Sequence, residues 1–268
     1  MADIVLLIPY YNNLNKLYKS LESISDLEPV DVLIVDDGSW EKPDISLLIE
    51  KFPALSKIEI ITSKENEGLS KALNRGLEYI KKNYADEYIA RLDVGDVCVP
   101  ERFLKQKEFL DRNRDIYLVG SNAEIVNQNG DVLFIRSYPV LHEDIAKNMY
   151  VFSSFMHPAV MFRKKALEKI GNYPLIICQD YGFFFKFIRS FKTANLPELL
   201  LKYELNPGGI TYANYRRLHL DGLKVIWNNF NIKFLWHILI GTFKRILCIL
   251  LGPKIMIKLG TNLRLKGF

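Results

Sequence analysis

The feature of this sequence that most constrains its fold is the regular alternation of strand and helix patterns over its first hundred residues. Four segments have the length and apolar character of buried strands: residues 4–8, 32–35, 58–62 and 87–92. Helical patterns separate them, at residues 14–25, 44–52 and 69–83. Apolar strands joined by helices are typical of a parallel sheet that is covered on both faces. The sequence therefore predicts an α/β fold with a mostly parallel sheet flanked by helices.

The second half of the chain has a mixed pattern. Short strand patterns occur at residues 117–120, 124–126 and 132–135, and helical patterns at residues 163–170 and 181–191. The strongest break in the pattern is Asn206-Pro207-Gly208-Gly209. We predict one domain over residues 1–211, with halves at 1–115 and 116–211, followed by a helical C-terminal tail over residues 212–268.

Polar side chains follow three of the predicted strands. They belong to the segments Pro9-Tyr10-Tyr11-Asn12, Asp36-Asp37-Gly38-Ser39 and Arg91-Leu92-Asp93-Val94-Gly95-Asp96. A single Asp-Gly after a strand is an ordinary turn, but the carboxyl ends of parallel strands converge, and ligands bind there. Carboxylates at such an edge accept hydrogen bonds from a base or ribose, or hold a divalent cation. Three such segments together predict a ligand site.

Phosphate-binding signatures narrow the choice of ligand. The chain has no GxGxxG after its first strand and no GxxxxGK[ST], so dinucleotide-binding and P-loop functions are not indicated. The segment Asn66-Glu67-Gly68-Leu69-Ser70-Lys71 opens a predicted helix, whose first N–H groups can receive a phosphate. An ordinary helix start, capped by Asn66 or Ser70, is the alternative.

Several strings resemble family 2 glycosyltransferases, in that family's order, from residue 3 to about 211. They are IPYYN, VDDGS, NEGLSKALNRGL, RLDVGDVCVPERFLKQ, HPAVMFRKKALEKIGNY and CQDYGFFFKF. The resemblance implies a GT-A fold, with a nucleotide-sugar-binding half at residues 1–115 and an acceptor half at 116–211. It also implies inverting transfer from a nucleotide sugar, a UDP-sugar in many relatives, to a lipid-linked or membrane-proximal glycan. The implied setting is bacterial surface polysaccharide synthesis, as for O-antigen, capsule or lipooligosaccharide.

The resemblance assigns donor-binding roles to individual residues. Pro9 and Tyr11 match positions that pack against the nucleotide. Asp37, the second acid of VDDGS, matches the carboxylate that reads the base. Gly68 and Lys71 match a segment near the ribose and diphosphate.

The family usually has Asp-x-Asp-Asp at residues 93–96, and this sequence departs from that pattern at the second acidic position, residue 95. Gly95 stands where relatives usually have the acid that coordinates Mg²⁺ or Mn²⁺. The resemblance implies that Asp93 or Asp96 holds this ion, directly or through water, and that Asp93 contacts the donor. The alternative is that Lys71 or Arg91 neutralises the diphosphate without an ion. A glycine here would also let the backbone approach the diphosphate closely.

Inversion by single displacement needs one carboxylate to deprotonate the acceptor hydroxyl. Asp180, in Gln179-Asp180-Tyr181, matches the family's acidic position before a helix, and the resemblance implies that it is this base. The alternative is a helix-start role, since the helix dipole favours an acid in the first turn. His157 is interpreted as a hydrogen-bonded structural histidine rather than an acceptor contact.

The C-terminal tail differs sharply in charge from the rest of the chain. Residues 216–268 hold ten Lys or Arg and one acid, a net charge of +9, whereas residues 1–215 hold 26 bases and 30 acids, a net charge of −4. Residues 234–252 are long enough to cross a bilayer, but Lys244 and Arg245 near their middle would each cost about 2.5–3.5 kcal/mol there. We therefore expect this helix to lie at a membrane surface. Packing on the body or in a homodimer, with its basic face in water, is the alternative.

Composition bears on location and on the competing classes of function. Three separated cysteines, Cys98, Cys178 and Cys248, form no disulfide framework, and MADIVLLIPYYNN has no basic region of a signal peptide. We expect a cytoplasmic enzyme, peripheral at the inner face of the cell membrane, and no nucleic-acid partner, because no exposed basic patch is interleaved with aromatic residues. The competing functions are a catalytically inactive nucleotide-sugar- or glycan-binding protein, favoured by Gly95, and a nucleotidyltransferase, which lacks its glycine- and lysine-rich loop here.

Overall fold

The computed structural model describes residues 3–206 and 213–264, with side chains up to residue 253. Its strands are β1 (Ile4–Tyr10), β2 (Asp31–Asp36), β3 (Lys57–Thr62), β4 (Tyr88–Arg91), β5 (Val97–Cys98), β6 (Ile116–Val126), β7 (Val132–Arg136), β8 (Met161–Arg163) and β9 (Lys192–Glu204). Its helices are α1 (Leu14–Glu22), α2 (Ile45–Lys51), α3 (Leu69–Asn83), α4 (Arg102–Arg112), α5 (His142–Asn148), α6 (Leu167–Ile170), α7 (Gln179–Ser190), α8 (Tyr215–Asn228) and α9 (Leu235–Arg264).

All of these strands belong to one sheet, in the order β3-β2-β1-β4-β8-β6-β9-β5, with β7 paired to β6. Strands β1 to β4 pair in parallel, as the sequence predicts. Strand β8 then runs antiparallel to both β4 and β6, while β9 is parallel to β6. The predicted α/β fold is confirmed, and the sheet is mixed beyond β4.

The apolar strands are buried on both faces because helices cover both. Val5 and Leu7 of β1 belong to a core cluster that includes residues of α3 and α7. Ile4, Leu6 and Ile8 point the other way, into a cluster with residues of α1 and α4. A strand with a core on each face cannot alternate apolar and polar residues, which explains its continuous apolar run.

Two predicted segments need correction, and the sequence patterns did not predict the short strand β5 or the long strand β9. The strand patterns at residues 117–120 and 124–126 form one strand, β6. The pattern at residues 163–170 is not one helix, because Arg163 ends β8 and only Leu167–Ile170 is α-helical. Strand β9 went unpredicted because Pro197 interrupts it, and proline argues against a central strand. The register with β6 jumps from Ser121↔Leu196 to Asn122↔Leu199, so Pro197 lies in a bulge.

The predicted boundary of the C-terminal tail, at residue 211, lies outside the described residues. Helix α9 contacts the body at Gly241, which lies against Tyr150, and at Ile238, which belongs to the core cluster shared with α3 and α7. Cys248 is buried as well. A Cβ at Gly241 would lie 1.8 Å from the backbone oxygen of Tyr150, so glycine allows this close approach. Gly252, with φ 72°, interrupts the helix, and Pro253 follows it.

The opposite face of α9 is apolar and exposed. Its large side chains recur at helical spacing; they are Trp236, Leu239, Ile240, Phe243, Ile246 and Leu250. The sequence spacing predicts a narrow polar stripe on this helix, formed by Lys233, His237, Gly241, Lys244, Cys248 and Gly252. Because Gly241 and Cys248 are buried, the stripe is not a solvent face as a whole. By length and composition alone, the segment Ile232–Pro253 would suffice to cross a membrane.

The close contact at Gly241 gives a test of how the tail is docked. Gly241→Val should lower the free energy of unfolding by about 1–3 kcal/mol, because the new side chain has to displace backbone. Urea unfolding of the full chain measures this change. Ile240→Val, on the exposed face of the same helix, should cost less than about 0.5 kcal/mol. Equal stability of the two variants would contradict the observed docking.

Candidate active site

The carboxyl ends of β1, β2 and β4 meet at one edge of the sheet, as predicted. Tyr10 ends β1, Asp36 ends β2 and Arg91 ends β4, and β1 pairs with both other strands. Each of the three polar segments found in the sequence therefore starts at this edge.

Asp37 is buried and fastens the loop that leads into α3. Its Oδ1 accepts the Glu67 N–H at 3.1 Å, and its Oδ2 accepts the Gly68 N–H at 2.8 Å. Gly68 precedes α3 with φ 92°, and neither Asn66 nor Ser70 supplies a side-chain cap. The alternative expected from the sequence, capping by Asn66 or Ser70, is wrong. The helix start is held from β2, across the edge of the sheet.

The other predicted donor contacts lie around this loop. Pro9 is partly buried in β1, opposite Val35 of β2, and Tyr11 follows the strand with its side chain largely exposed. Lys71 projects from the first turn of α3 and is exposed, with its Nζ 3.3 Å from Oε1 of Glu67. An exposed aromatic ring thus follows β1, where the Asp37 N–H bonds the Tyr10 carbonyl, and an exposed ammonium projects from the start of α3.

Arg91 is fully buried and does not face the open edge. Its Nη1 donates to the carbonyl oxygens of Leu7, at 2.5 Å, and Leu92, at 3.2 Å. Its Nη2 donates to Oδ1 of Asp93 at 2.5 Å. The side chain of Asp93 is one-third exposed, so Arg91 lies behind Asp93 and orients it.

His157 completes the surroundings of Arg91. Its Nε2 lies 3.5 Å from Nε of Arg91 and 3.0 Å from the hydroxyl of Tyr173. Because guanidinium can only donate, this geometry makes Nε2 an acceptor. Burial, with Arg91 beside it, lowers the pKa of His157 to about 3, so the ring is neutral. The interpretation of His157 as a structural histidine agrees with these contacts.

Asp96 is turned into the protein. Its Oδ1 accepts the Glu204 N–H at 3.0 Å, and its Oδ2 is buried without a partner among the described residues. Burial, followed by the charge of Asp93, raises the pKa of Asp96 well above its usual value. Within the described part of the chain, no three His, Cys, Asp or Glu side chains group as a metal site. These residues do not fit an ion held jointly by Asp93 and Asp96.

Asp180 lies in the first turn of α7 and is partly exposed. Burial raises its pKa, and the charge of Asp93 raises it further, so the two carboxylates influence each other across the site. The Tyr181 N–H and the Arg245 guanidinium act in the opposite direction. The structure therefore brings the predicted base close to the loop after β4.

The segment before Asp180 is held from two sides. From α3, Ser70 donates to the carbonyl oxygen of Ile176 at 3.3 Å, and Asn74 bonds the backbone of Tyr173 in both directions. From the tail, Oδ2 of Asp221 accepts the Ile177 N–H at 3.3 Å. Asp221 was not predicted as a site residue. It is the one acid among residues 216–268, and this isolation in a basic segment could have drawn attention to it.

Arg245 is a second contact from the tail to this region. Its guanidinium carbon lies 4.6 Å from the ring centroid of Tyr181, within cation–π distance. A Cβ at Gly222 would lie 2.1 Å from Nη1 of Arg245, so glycine makes room for this arginine. From the sequence we expect Arg245 to be a charge at the membrane surface, whereas in the structure it contacts Tyr181 and acts on the neighbouring Asp180.

The sequence profile described as Glycosyl transferase family 2 matches residues 5–171, more than half of the chain. The chain therefore belongs to glycosyl transferase family 2 and is a glycosyltransferase. The resemblance found in the sequence motifs is thus confirmed.

Three curated relatives illustrate the similarity. An uncharacterized glycosyltransferase of Haemophilus influenzae is 28% identical over 206 residues, 76% of this chain and 73% of the relative. The amylovoran biosynthesis glycosyltransferase AmsE of Erwinia amylovora is 28% identical over 219 residues, 79% of each chain. The UDP-Gal:alpha-D-GlcNAc-diphosphoundecaprenol beta-1,3-galactosyltransferase of Escherichia coli is 27% identical over 208 residues, 74% of each chain.

Solved structures share the fold at low sequence identity. S. aureus TarS 1–349 in complex with UDP-GlcNAc has a TM-score of 0.62 and 19% identity, over 92% of this chain and 73% of that one. The mannosyltransferase PcManGT from Pyrobaculum calidifontis, in complex with GDP-Man and Mn²⁺, has a TM-score of 0.63 and 14% identity, over 98% and 80%. The predicted GT-A fold is confirmed.

The two bonds to Asp37 give a stability test of this loop. Asp37→Ala should lower the free energy of unfolding by about 1–3 kcal/mol, because it leaves two N–H groups without their acceptor. Denaturant unfolding measures the loss. Asp26→Ala, at an exposed acid, should change the value by less than about 0.5 kcal/mol. An Asp37→Ala variant as stable as its control would refute the anchoring role.

Proposed function

We propose that this glycosyltransferase transfers a sugar, with inversion, from a nucleotide sugar to a hydroxyl of a lipid-linked or membrane-proximal glycan. The proposed setting is bacterial surface polysaccharide synthesis, which the names of the amylovoran enzyme and the diphosphoundecaprenol galactosyltransferase support. The proposed donor is a UDP-sugar, as in the galactosyltransferase's name and the TarS complex.

Donor binding is assigned to the edge formed by β1, β2 and the start of α3. We propose that Tyr11, next to Pro9, stacks on the base, since an exposed aromatic ring offers an apolar face. Asp37 reads the base and also holds the Glu67–Gly68 backbone for it. Lys71 faces the diphosphate from the first turn of α3. Asp93, oriented by Arg91, contacts the sugar side of the donor.

The proposed base is Asp180, and its placement carries the mechanism. It is partly exposed, it shares the site with Asp93, and its segment is fastened by α3 and by the tail. In the reaction, a carboxylate oxygen of Asp180 takes the proton of the acceptor hydroxyl while the hydroxyl oxygen attacks the anomeric carbon. The bond to the nucleoside diphosphate breaks on the opposite face.

We propose that the tail places the enzyme at the inner face of the cell membrane. The exposed apolar face of α9 would enter the headgroup region. The basic residues of the tail would bind anionic lipids, each worth about 1 kcal/mol near the surface. The alternative is a homodimer in which a second copy of the chain buries the same apolar face.

Replacing the proposed base gives a direct test of the mechanism. Asp180→Asn should lower the transfer rate at least about 100-fold, because general-base catalysis contributes on the order of 10²–10⁴. Binding of UDP, measured by calorimetry, should change by less than about threefold, since the carboxylate acts on the acceptor. Product formation from a panel of nucleotide sugars gives the rate.

Two controls accompany this variant. Asp144→Asn changes an exposed acid in the first turn of α5 and should leave transfer unchanged. In the wild type, the rate should fall with decreasing pH around a pKa above the usual value of about 3.9, because burial raises the pKa of Asp180 and the base has to be ionised. Wild-type turnover by Asp180→Asn would exclude it as base. Donor binding without any turnover in the wild type would favour the inactive binding protein.

Membrane binding can be tested on the exposed face of α9. Replacing Trp236, Phe243 and Leu250 by Ser removes side chains that are 70%, 67% and 72% exposed. Flotation with phosphatidylglycerol-containing vesicles should fall at least about tenfold, while folding is retained because none of the three is buried. Replacing Trp40, Leu27 and Leu175 by Ser on the body is the matched control. Unchanged flotation, or a dimer that the first variant dissociates, would contradict the membrane role.

A further inference from the structure

The loop between β4 and β5 cannot present an acid at residue 95. Gly95 has φ 103°, a conformation that strains any other residue, and its N–H donates to Oγ of Ser20 at 2.9 Å. A Cβ added here would lie 3.2 Å from Cδ of Lys16 and 3.9 Å from its Cβ and Cγ. The direction in which an acidic side chain would project is therefore occupied by the stem of a lysine.

Lys16 reaches this position from the start of α1. Asn13, which precedes the helix with φ 82°, accepts the Lys16 N–H on its side-chain oxygen at 3.1 Å. Helix α1 follows β1, and the Gly95 loop follows β4, which is parallel to β1. Lys16 thus stands at the same edge of the sheet as Asp93.

A buried carboxylate holds the ammonium group in place. Oε1 of Glu204, at the end of β9, lies 2.7 Å from Nζ of Lys16, and Oε2 lies 2.8 Å from Nζ of Lys19. The side chain of Glu204 is 6% exposed, whereas those of the two lysines are 32% and 40% exposed. Two ammonium groups share one carboxylate, which leaves one positive charge in excess on the solvent side. Each ammonium has three donors, so donors remain for an anion.

We propose that Lys16 supplies the positive charge that the donor diphosphate needs, in place of a divalent ion. The proposal rests on the function proposed above. Gly95 removes the expected ligand, Asp96 is enclosed, and Asp93 is paired with Arg91, so Asp93 is the one accessible carboxylate among residues 93–96. Lysine is an established phosphate binder that acts as a point charge. Glu204 orients Lys16, and the leaving diphosphate is stabilised by this fixed cation.

Nucleoside diphosphate binding tests the proposal without turnover. Calorimetric titrations of the full chain with UDP and with GDP are made in EDTA and in Mn²⁺, and the tighter nucleotide is used further. The dissociation constant of the wild type should differ less than threefold between EDTA and Mn²⁺. Lys16→Met should raise it at least tenfold in EDTA, and Mn²⁺ should not restore it.

Lys19→Met is the matched control, because it leaves Glu204 with one lysine just as Lys16→Met does, one turn farther along α1. It should change the dissociation constant less than threefold, and thermal unfolding checks that both variants are folded. Wild-type binding that is at least tenfold tighter in Mn²⁺ would overturn this proposal and leave the proposed function standing. Equal losses in the two variants would also overturn it. No binding of either nucleotide under both conditions would refute the proposed function itself.

Discussion

The arrangement of this active site depends on one buried charge, the guanidinium of Arg91. A buried cation is tolerated only when it is paired and hydrogen-bonded. Here the pairing uses the Leu7 carbonyl of β1, the Leu92 carbonyl and the carboxylate of Asp93. Arg102 of α4 in turn donates to the carbonyl oxygen of Arg91 at 2.7 Å. Satisfying one charge thereby fixes the loop after β4 and the direction of its exposed acid.

Much of this fold was predictable because its first half obeys local rules. The continuous apolar runs of β1 and β2 follow from burial on both faces, and the acids after the strands follow from the parallel topology. Asp37 was predicted for this reason together with the family resemblance, whereas Asp180, in the first turn of a helix, was predicted from the resemblance alone. The sequence pattern around Asp37 did not indicate what its side chain binds, because that partner, the Glu67 N–H, lies 30 residues farther along the chain.

The features that the sequence did not reveal depend on distant pairings. Lys16 and Glu204 are 188 residues apart, and nothing in either neighbourhood indicates their contact. Strand β9, which carries Glu204, was hidden by Pro197. Asp96 also points into the protein because of β9, since its carboxylate accepts the N–H of Glu204 at the end of that strand. Missing one strand therefore concealed the surroundings of three charged residues.

Through Asp221 and Arg245 the tail also contacts the residues on either side of Asp180. Membrane anchors are often regarded as interchangeable parts that can be exchanged between enzymes or trimmed for convenience. In this chain, an exchanged tail would bring its own affinity for lipid but would leave the Ile177 N–H and the Tyr181 ring without their present partners. The surface proposed for membrane docking and the segment that carries the proposed base are thus inherited together, and selection on either one acts on both.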